Sequence, residues 1–526
     1  MNILKRRIIL AIILLFAFSF KLFANESITF TWKGGAGYFS ITATPGKQFT
    51  INWGDGSAIE TITGIENYIF CQHYYSNSNV YTVSINALSN DCKFSHFDCT
   101  DCYNNGSLNS LNVANAPSLI VIECWGQKLS ALDISKNTAL TKLHCSNNQL
   151  KNLDVSKNIA LTRLDCYSNQ LSALDVSKNT KLINLSCQDN SLSSLDVSKC
   201  IDLVELECEY NEIGELDISK NKNIDWLTCN NNNITNLNLE NSTKLRILDC
   251  SNNKLKSLDV SKCTNLENFY CSYNQITAID VSKNLKLDCF WCPSNQLTTL
   301  DIRLNKALGS LYCDGNRIKK IELNLETTYD IFLHCIDNQL PLSELYFLSK
   351  SINCYYCKSF GTQRLDKKYI PPGSDVDFSS QTEFGGIKTV FTVEKNGMPA
   401  SEDDYMLNNG IFKFNNKGDY TITMTNEAII STLWVDSVVV IAEISVREVG
   451  VAETQRAASL HLYPNPVSNT LYINLENTST PPEVKIYSLQ GVLVLQTNGN
   501  QIDVSSLPAG FYVANVNGIN RKIIKQ

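Results

Sequence analysis

A mainly β chain, built around a solenoid of stacked coils with a small β-sandwich domain on either side, is predicted by three features of the sequence. Cysteine recurs at 124, 145, 166, 187, 208, 229, 250, 271, 292 and 313, one every 21 residues without a slip. Each period rewrites one pattern, read from Leu140 as Leu140-x-x-Leu143-x-Cys145-x-x-Asn148-x-Leu150-x-x-Leu153-Asp154-Val155-Ser156-Lys157-Asn158. Outside the periodic region the chain turns to short alternating runs punctuated by Gly, Pro, Asn and Asp, as strands joined by tight turns require. Self-similarity at one fixed period means coils that each bury their apolar residues against the next.

The 526 residues exceed one ordinary core and imply several domains. Lys5, Arg6 and Arg7, the apolar run Ile8 to Phe20 and a small-residue exit at Ala24 predict a secretory signal peptide over 1–24. No later apolar run approaches the roughly 18 residues that span a bilayer, so no transmembrane segment is expected in the mature protein. Losing Lys5, Arg6, Arg7 and Lys21, with no acidic residue among the first 24, moves the formal charge from -7 to -11. An acidic chain is a poor nucleic-acid reader, which needs a basic face.

Twenty cysteines in an exported chain suggest a disulfide framework. The ladder argues otherwise. Side chains 21 apart sit on successive coils, parallel and about 4.8 Å from one another, whereas a disulfide needs β-carbons near ~3.8 Å and turned together. The ladder cysteines are therefore expected to be free, buried and apolar. Cys200 and Cys263 stand where other coils carry Asn158 and Asn179, three coils apart, and cannot bridge each other. Cys71, Cys92, Cys99, Cys102, Cys289, Cys354 and Cys357 lie outside the regular array and are the better disulfide candidates.

In chain order, residues 25–92 alternate as short strands, with Trp53-Gly54-Asp55-Gly56-Ser57, His73-Tyr74-Tyr75 and Tyr81-Thr82-Val83 among them. They resemble a PKD-type β-sandwich at those motifs. Asp55 in its Gly-flanked turn is expected to serve the turn and not a metal. Phe94, Phe97, Cys99 and Cys102 then copy the first half of a coil, and Leu111-Asn112-Val113 the second, so the solenoid with its caps is placed at 93–358.

Within a coil, Leu143 and Cys145 point inward from one short strand and His144 and Ser146 point outward. Asn148 and its equivalents, down to Asn316, turn inward to bond the backbone groups that the bend leaves free. These positions resemble the short bacterial leucine-rich repeats, over about 220 residues. Both halves of a coil are expected to be strand-like, and about eleven coils give a solenoid on the order of 50 Å long. The Asp column at 133, 154, 175, 196, 217, 259, 280 and 301, with Asn238 once, is expected to be neutralised by the Lys three residues on. Cys335-x-x-Asn338-x-Leu340 adds a partial coil, and Leu342 to Ile352 a C-terminal cap.

Residues 368–447 return to strands and turns, enough for an Ig-like sandwich. Polar residues 448–459 read as a linker. The last segment, 460–526, has Pro464-Asn465-Pro466, Gly491, Leu507-Pro508-Ala509-Gly510-Phe511-Tyr512 and a tail carrying Lys522 and Lys525. It resembles the C-terminal sorting domain of type IX secretion cargo. That resemblance implies recognition by the outer-membrane translocon and its sortase, cleavage in the linker, and a place at or beyond the surface of a Gram-negative cell.

The sequence carries no assembled catalytic set. Five histidines are spread over different modules, and no nucleophile elbow, His-Glu-x-x-His helix or phosphate loop is present. Of Cys99-x-x-Cys102, Cys289-x-x-Cys292 and Cys354-x-x-Cys357, two already have a member in a repeat position, so no metal and no cofactor is expected. Variation between coils points to the ligand face instead. The outward residue between inner Leu and Cys runs His144, Asp165, Ser186, Glu207, Thr228, Asp249, Tyr270, Trp291, Tyr312, and Glu209 adds to the acidic stretch. Tyr270, Trp291 and Tyr312 on consecutive coils either contact a partner, or only fill the strand surface or lie under the C-terminal cap; joined aromatics mark contact more often than isolated ones do. The expectation is a non-enzymatic recognition or adhesion protein with a protein or glycan ligand. An accessory module for carbohydrate capture, an enzyme partner and a structural surface component are the alternatives.

Overall fold

The computed structural model describes residues 25–100, 107–324, 331–352, 357–433, 437–447, 460–463, 467–475, 482–488, 492–516 and 519–525. The expected signal peptide and linker fall outside them, as do Pro464, Asn465, Pro466 and Gly491. Two compact units result: residues up to Gln363 with 429–438, and the remainder.

The first unit opens with β1 (Ser27–Lys33), β2 (Ala36–Ala43), β3 (Gln48–Asn52), β4 (Glu60–Thr63), β5 (Ile69–Tyr74), β6 (Val80–Ala87), β7 (Phe94–Asp98) and β8 (Ser107–Asn115). One sheet runs β4-β3-β6-β1-β8. The other begins β5-β2-β7 and does not stop there: β7 pairs in parallel with Val121–Glu123, the strand of the first full coil. Phe30, Phe39, Phe49, Trp53, Phe94 and Phe97, at most 3% exposed, fill the space between the sheets. The first half of the degenerate coil thus extends one sheet and its second half, as β8, pairs with β1 in the other. This arrangement covers the apolar end of the solenoid, because each coil must pack its Leu and Cys against something.

From Val121–Glu123 to Lys358–Ser359, three-residue strands and a closing two-residue one add in parallel to a sheet of 15 strands among the described residues. Register is fixed coil on coil, Leu143 opposite Leu164 and His144 opposite Asp165. Leu143, Cys145, Leu164 and Cys166 are fully buried. The Asn column closes the bend as expected. Asn148 Nδ2 donates to the carbonyls of Cys124 (2.8 Å), Cys145 (3.1 Å) and Ser146 (3.2 Å), and its Oδ1 accepts from Leu129 N–H at 2.9 Å. The residue before it adopts a left-handed φ, 53° at Asn147 and 54° at Tyr273, a region in which non-glycine residues are uncommon.

Two expectations about the second half of the coil change. Among the described residues, coil-to-coil strand pairs form there only at Leu216–Asp217 with Leu237–Asn238 and at Thr299–Asp301 with Lys320–Glu322. Elsewhere the chain is held by side chains: Asn158 Nδ2 donates to the carbonyls of Ile134 (3.0 Å) and Asn137 (2.9 Å), one and the same motif at Asn137, Asn179, Asn221, Asn284 and Asn305. The Asp column is also not primarily a partner for lysine. Asp154 Oδ1 accepts the backbone N–H of Ser156 at 2.9 Å, and this turn bond is the leading cause that holds its carboxyl below the ordinary range, ahead of Lys157. Asn238 does the same for Glu240 at 3.0 Å, which shows that the turn needs the oxygen and not the charge.

The disulfide expectation is corrected as well. Cys71, Cys92 and Cys99 are free and buried, and Cys289 is free and half-buried. Cys357 is disulfide-bonded; Cys102 and Cys354 lie outside the described residues. At the C-terminal end, α1 (Leu342–Ser351) lays Leu342, Leu345 and Leu348 on the last coil. Lys358 Nζ donates to the carbonyls of Ser349 (2.9 Å) and Ile352 (3.0 Å), and Thr432 N–H donates to Lys358 O at 2.9 Å, closing the sheet edge. No helix among the described residues is long and apolar enough to cross a membrane.

In the second unit, strands Val390–Lys395, Gly418–Thr425 and Val439–Val446 make one antiparallel sheet, and Asp375–Asp377, Tyr405–Asn408 and Ile411–Phe414 another. Phe412 and Phe414 from the smaller sheet meet Phe391 (5.4 Å) and Tyr420 (4.6 Å) from the larger, so the layers pack face to face. Residues 460–525 form a further pair of sheets, Leu460–Tyr463, Thr470–Leu475 and Gln501–Asp503 against Glu483–Ser488, Leu493–Asn498, Gly510–Val516 and Ile519–Lys525. Leu507, Tyr512 and Lys525 are buried there, and the Tyr512 hydroxyl donates to Pro508 O at 2.8 Å.

Candidate recognition surface on the solenoid sheet

The outward positions of the coil strands form two adjoining columns on one sheet face, the first between inner Leu and Cys, the second just after the Cys. Parallel pairing brings Tyr270 beside Trp291 and Trp291 beside Tyr312. Their ring centroids lie 5.0 and 4.9 Å apart, and Tyr312 stacks on His334 at 4.2 Å and 15°. His334 extends the strip by one coil. It occupies the same place in Leu333-His334-Cys335, a match that the longer spacing from Cys313 to Cys335 hides in the sequence. Trp291 is 40% exposed, and its Nε1–H donates to Ser310 Oγ at 3.2 Å, which fixes the ring plane.

Beside this strip runs a groove of about 640 Å³ lined by Asn231, Asp249, Ser251, Asn252, Tyr270, Ser272, Tyr273 and Trp291. Its floor is low because the second column carries serine at 251 and 272, where other coils have Gln188, Glu209 or Asp314. Tyr273, 63% exposed, joins the lining from the left-handed turn position. Burial raises the Asp249 carboxyl above its usual range although its Oδ1 accepts Ser251 N–H at 2.9 Å.

The remaining predicted residues divide. Glu207 accepts from Ser186 Oγ and Glu209 from Thr228 Oγ1, both at 2.7 Å, so the acidic run is tied to neighbouring coils. Burial raises Glu209. Asp165 is 2% exposed and Ser146 fully buried although both belong to the outward positions; close neighbours on adjacent strands cover them. His144 and Asp165 sit at the N-terminal end with Trp125 (5.7 Å from the His144 ring) and Tyr167 (5.9 Å). There Arg163 Nε donates to Asp165 Oδ2 at 2.7 Å, while Asp165 Oδ1 and His144 Nε2 are buried without a partner. Burial pushes the His144 imidazole down, towards the neutral form. Trp125 and Tyr167, missed in the sequence, belong to the second column, whose outward direction follows from the same alternation.

A third cluster, His96, Asp98 and Glu123, brings ligand atoms within 4.8 Å of one another. The Lys142 ammonium bonds Glu123 there and supplies a positive charge of the protein's own.

The repeat geometry and the tail define a class: a β-solenoid of 21-residue coils whose chain ends in a secretion sorting domain. Residues 461–526 match the family model described as "Secretion system C-terminal sorting domain". No curated protein matches the chain. Among solved structures, the chain is similar to the functional domain of InlJ from Listeria monocytogenes, which includes a cysteine ladder, at 27% identity over 67% of this chain and 86% of that one, TM-score 0.46. It is also similar to an LRR protein of Leptospira interrogans at 20% identity over 48% and 74%, TM-score 0.39. The LRR ectodomain of the plant membrane receptor kinase GASSHO1/SCHENGEN3 from Arabidopsis thaliana matches at 20% identity over 49% and 40%, TM-score 0.38.

Proposed function

We propose that this is a non-enzymatic recognition protein on the surface of a Gram-negative bacterium, which binds a protein or glycan ligand through the C-terminal half of the solenoid sheet face. One observation carries the reading: four aromatic rings, from Tyr270 to His334, touch one after another on consecutive coils with Trp291 exposed among them. A strand surface needs no such series to fold, since Ser186 and Thr228 occupy the same place on other coils. Joined aromatics supply large contact area at a small cost in side-chain entropy, and so recur as binding anchors. The acidic residues around Asp249 favour neutral or cationic ligands over anionic ones.

The test is the triple variant Tyr270→Ser, Trp291→Ser, Tyr312→Ser, compared with wild type on an array of glycans and cell-surface proteins. These side chains lie outside the Leu, Cys and Asn columns, so the far-ultraviolet dichroism should stay that of the parent. Ligands retained by wild type should be lost by the variant. Undiminished binding by a folded variant would falsify the reading.

A further inference from the structure

We propose that the groove between Trp291, Tyr270 and Tyr273 is a subsite for one neutral pyranose unit of a glycan, with Asp249 accepting hydrogen bonds from its hydroxyl groups. The inference rests on the recognition reading above and gives that site its ligand class.

A pyranose presents C–H groups on its faces and hydroxyls around its rim. The first need the electron-rich face of an aromatic ring, the second a set of donors and acceptors at the ring's edge. The groove supplies both. Trp291 is held in one orientation by its bond to Ser310 and by the edge-on ring of Tyr270, with an interplanar angle of 80°. Tyr273 also lines the groove and is 63% exposed. On the floor, the Asp249 carboxylate accepts the Ser251 N–H through Oδ1 and also interacts with the Ser251 side chain; its two oxygens offer about four acceptor sites, so it can still accept from a hydroxyl. Asn252 Nδ2 bonds Asn231 Oδ1, which leaves the Nδ2 of Asn231 as a donor and the Oδ1 of Asn252 as an acceptor, both residues being in the lining. The volume of about 640 Å³ is that of a small-molecule site.

A peptide is the poorer occupant. An extended chain gains its affinity by pairing with an exposed strand edge, and the strands beneath this groove, Ile247–Asp249, Asn268–Tyr270 and Cys289–Trp291, are each paired on both sides. A uronic acid or sialic acid is also disfavoured, because its carboxylate would meet Asp249 in a half-buried site. The same site occurs nowhere else on the face among the described residues. Only here do two consecutive coils both carry serine in the second column, at 251 and 272.

The experiment titrates the full-length exported protein with neutral oligosaccharides, namely cello-, malto-, xylo- and chito-oligosaccharides, and with an oligoglucuronate, by calorimetry and saturation-transfer NMR. At least one neutral sugar should bind and the glucuronate should not. Trp291→Ala and Asp249→Asn should each weaken binding tenfold or more, and Trp291→Phe should recover most of it. Ser272→Trp, which fills the floor from a side chain outside the core, should abolish binding while the chain stays folded, and guards against misfolding in the first two variants. Absence of binding by every neutral sugar, or binding unchanged in Ser272→Trp, overturns the assignment. If no sugar binds but a protein ligand is lost in the triple serine variant, only the sugar assignment fails; a sugar bound equally by the triple variant removes both readings.

Discussion

At the residue scale the solenoid rests on side chains that replace missing backbone bonds, and each coil repeats the same test of that idea. Asn158 and its equivalents give two N–H groups to two carbonyls of the preceding coil, whereas Cys200 reaches the same carbonyls, of Val176 and Asn179, only at 3.7 and 3.6 Å through sulfur. Thiols are weak donors. Cys200→Asn should therefore stabilise the chain by about 0.5–1.5 kcal/mol, read as a higher urea midpoint; a fall in the midpoint would show that the volume of sulfur matters more. Asp314 is a second residue with a definite sign. Burial raises its carboxyl from 3.8 to about 6. A carboxyl raised on folding carries its full cost above the folded value, here about 6, and none below the unfolded value near 3.8. Asp314→Asn, which still offers Ile336 N–H an acceptor, should add about 1–2 kcal/mol at pH 8 once residual solvent is allowed for, and almost nothing at pH 4. Equal gains at both values would refute the burial account. The sequence announces the Asn148 column by its regularity. It does not announce the cost at Asp314, because that cost depends on which side chains close over the carboxyl.

At the scale of elements, β2 is the piece that joins two architectures. It pairs antiparallel with β5 and β7, and through β7 passes the sheet to the coils. The short strands of 25–92 and the degenerate coil after them are both legible in the sequence. That they share a sheet is not, since pairing between distant strands leaves no periodic trace. A chain starting at residue 93 should expose Phe94, Phe97 and an unpaired edge of β7, all covered in the full chain. We expect it to elute as soluble aggregate on size exclusion, while the full chain stays monodisperse; a monodisperse, cooperatively unfolding fragment would mean that the coil array caps itself.

For the whole molecule, the cysteine ladder is buried, reduced structure. Of the free thiols among the described residues, Cys289 is half-buried and the others are buried. Cys124 is pushed up to about 12 by burial, so little thiolate is available to react. Pulsed alkylation of native protein, mapped by peptide mass, should label Cys289 first and the ladder only on unfolding. Labelling of Cys145 or Cys229 at the rate of Cys289 would contradict this.

The sequence by itself determined the coil, its 21-residue period, the inward Leu, Cys and Asn columns, the sorting domain and the aromatic strip Tyr270-Trp291-Tyr312. All of these are local or periodic, and a repeat displays its own register. Tertiary structure alone decided that the N-terminal strands continue the solenoid sheet, that the acidic run is tied to neighbouring coils, and that a groove opens beside Trp291. A groove is a matter of what stands next to what: Ser251, Ser272 and Tyr273 acquire their meaning only when coils 21 residues apart are stacked side by side.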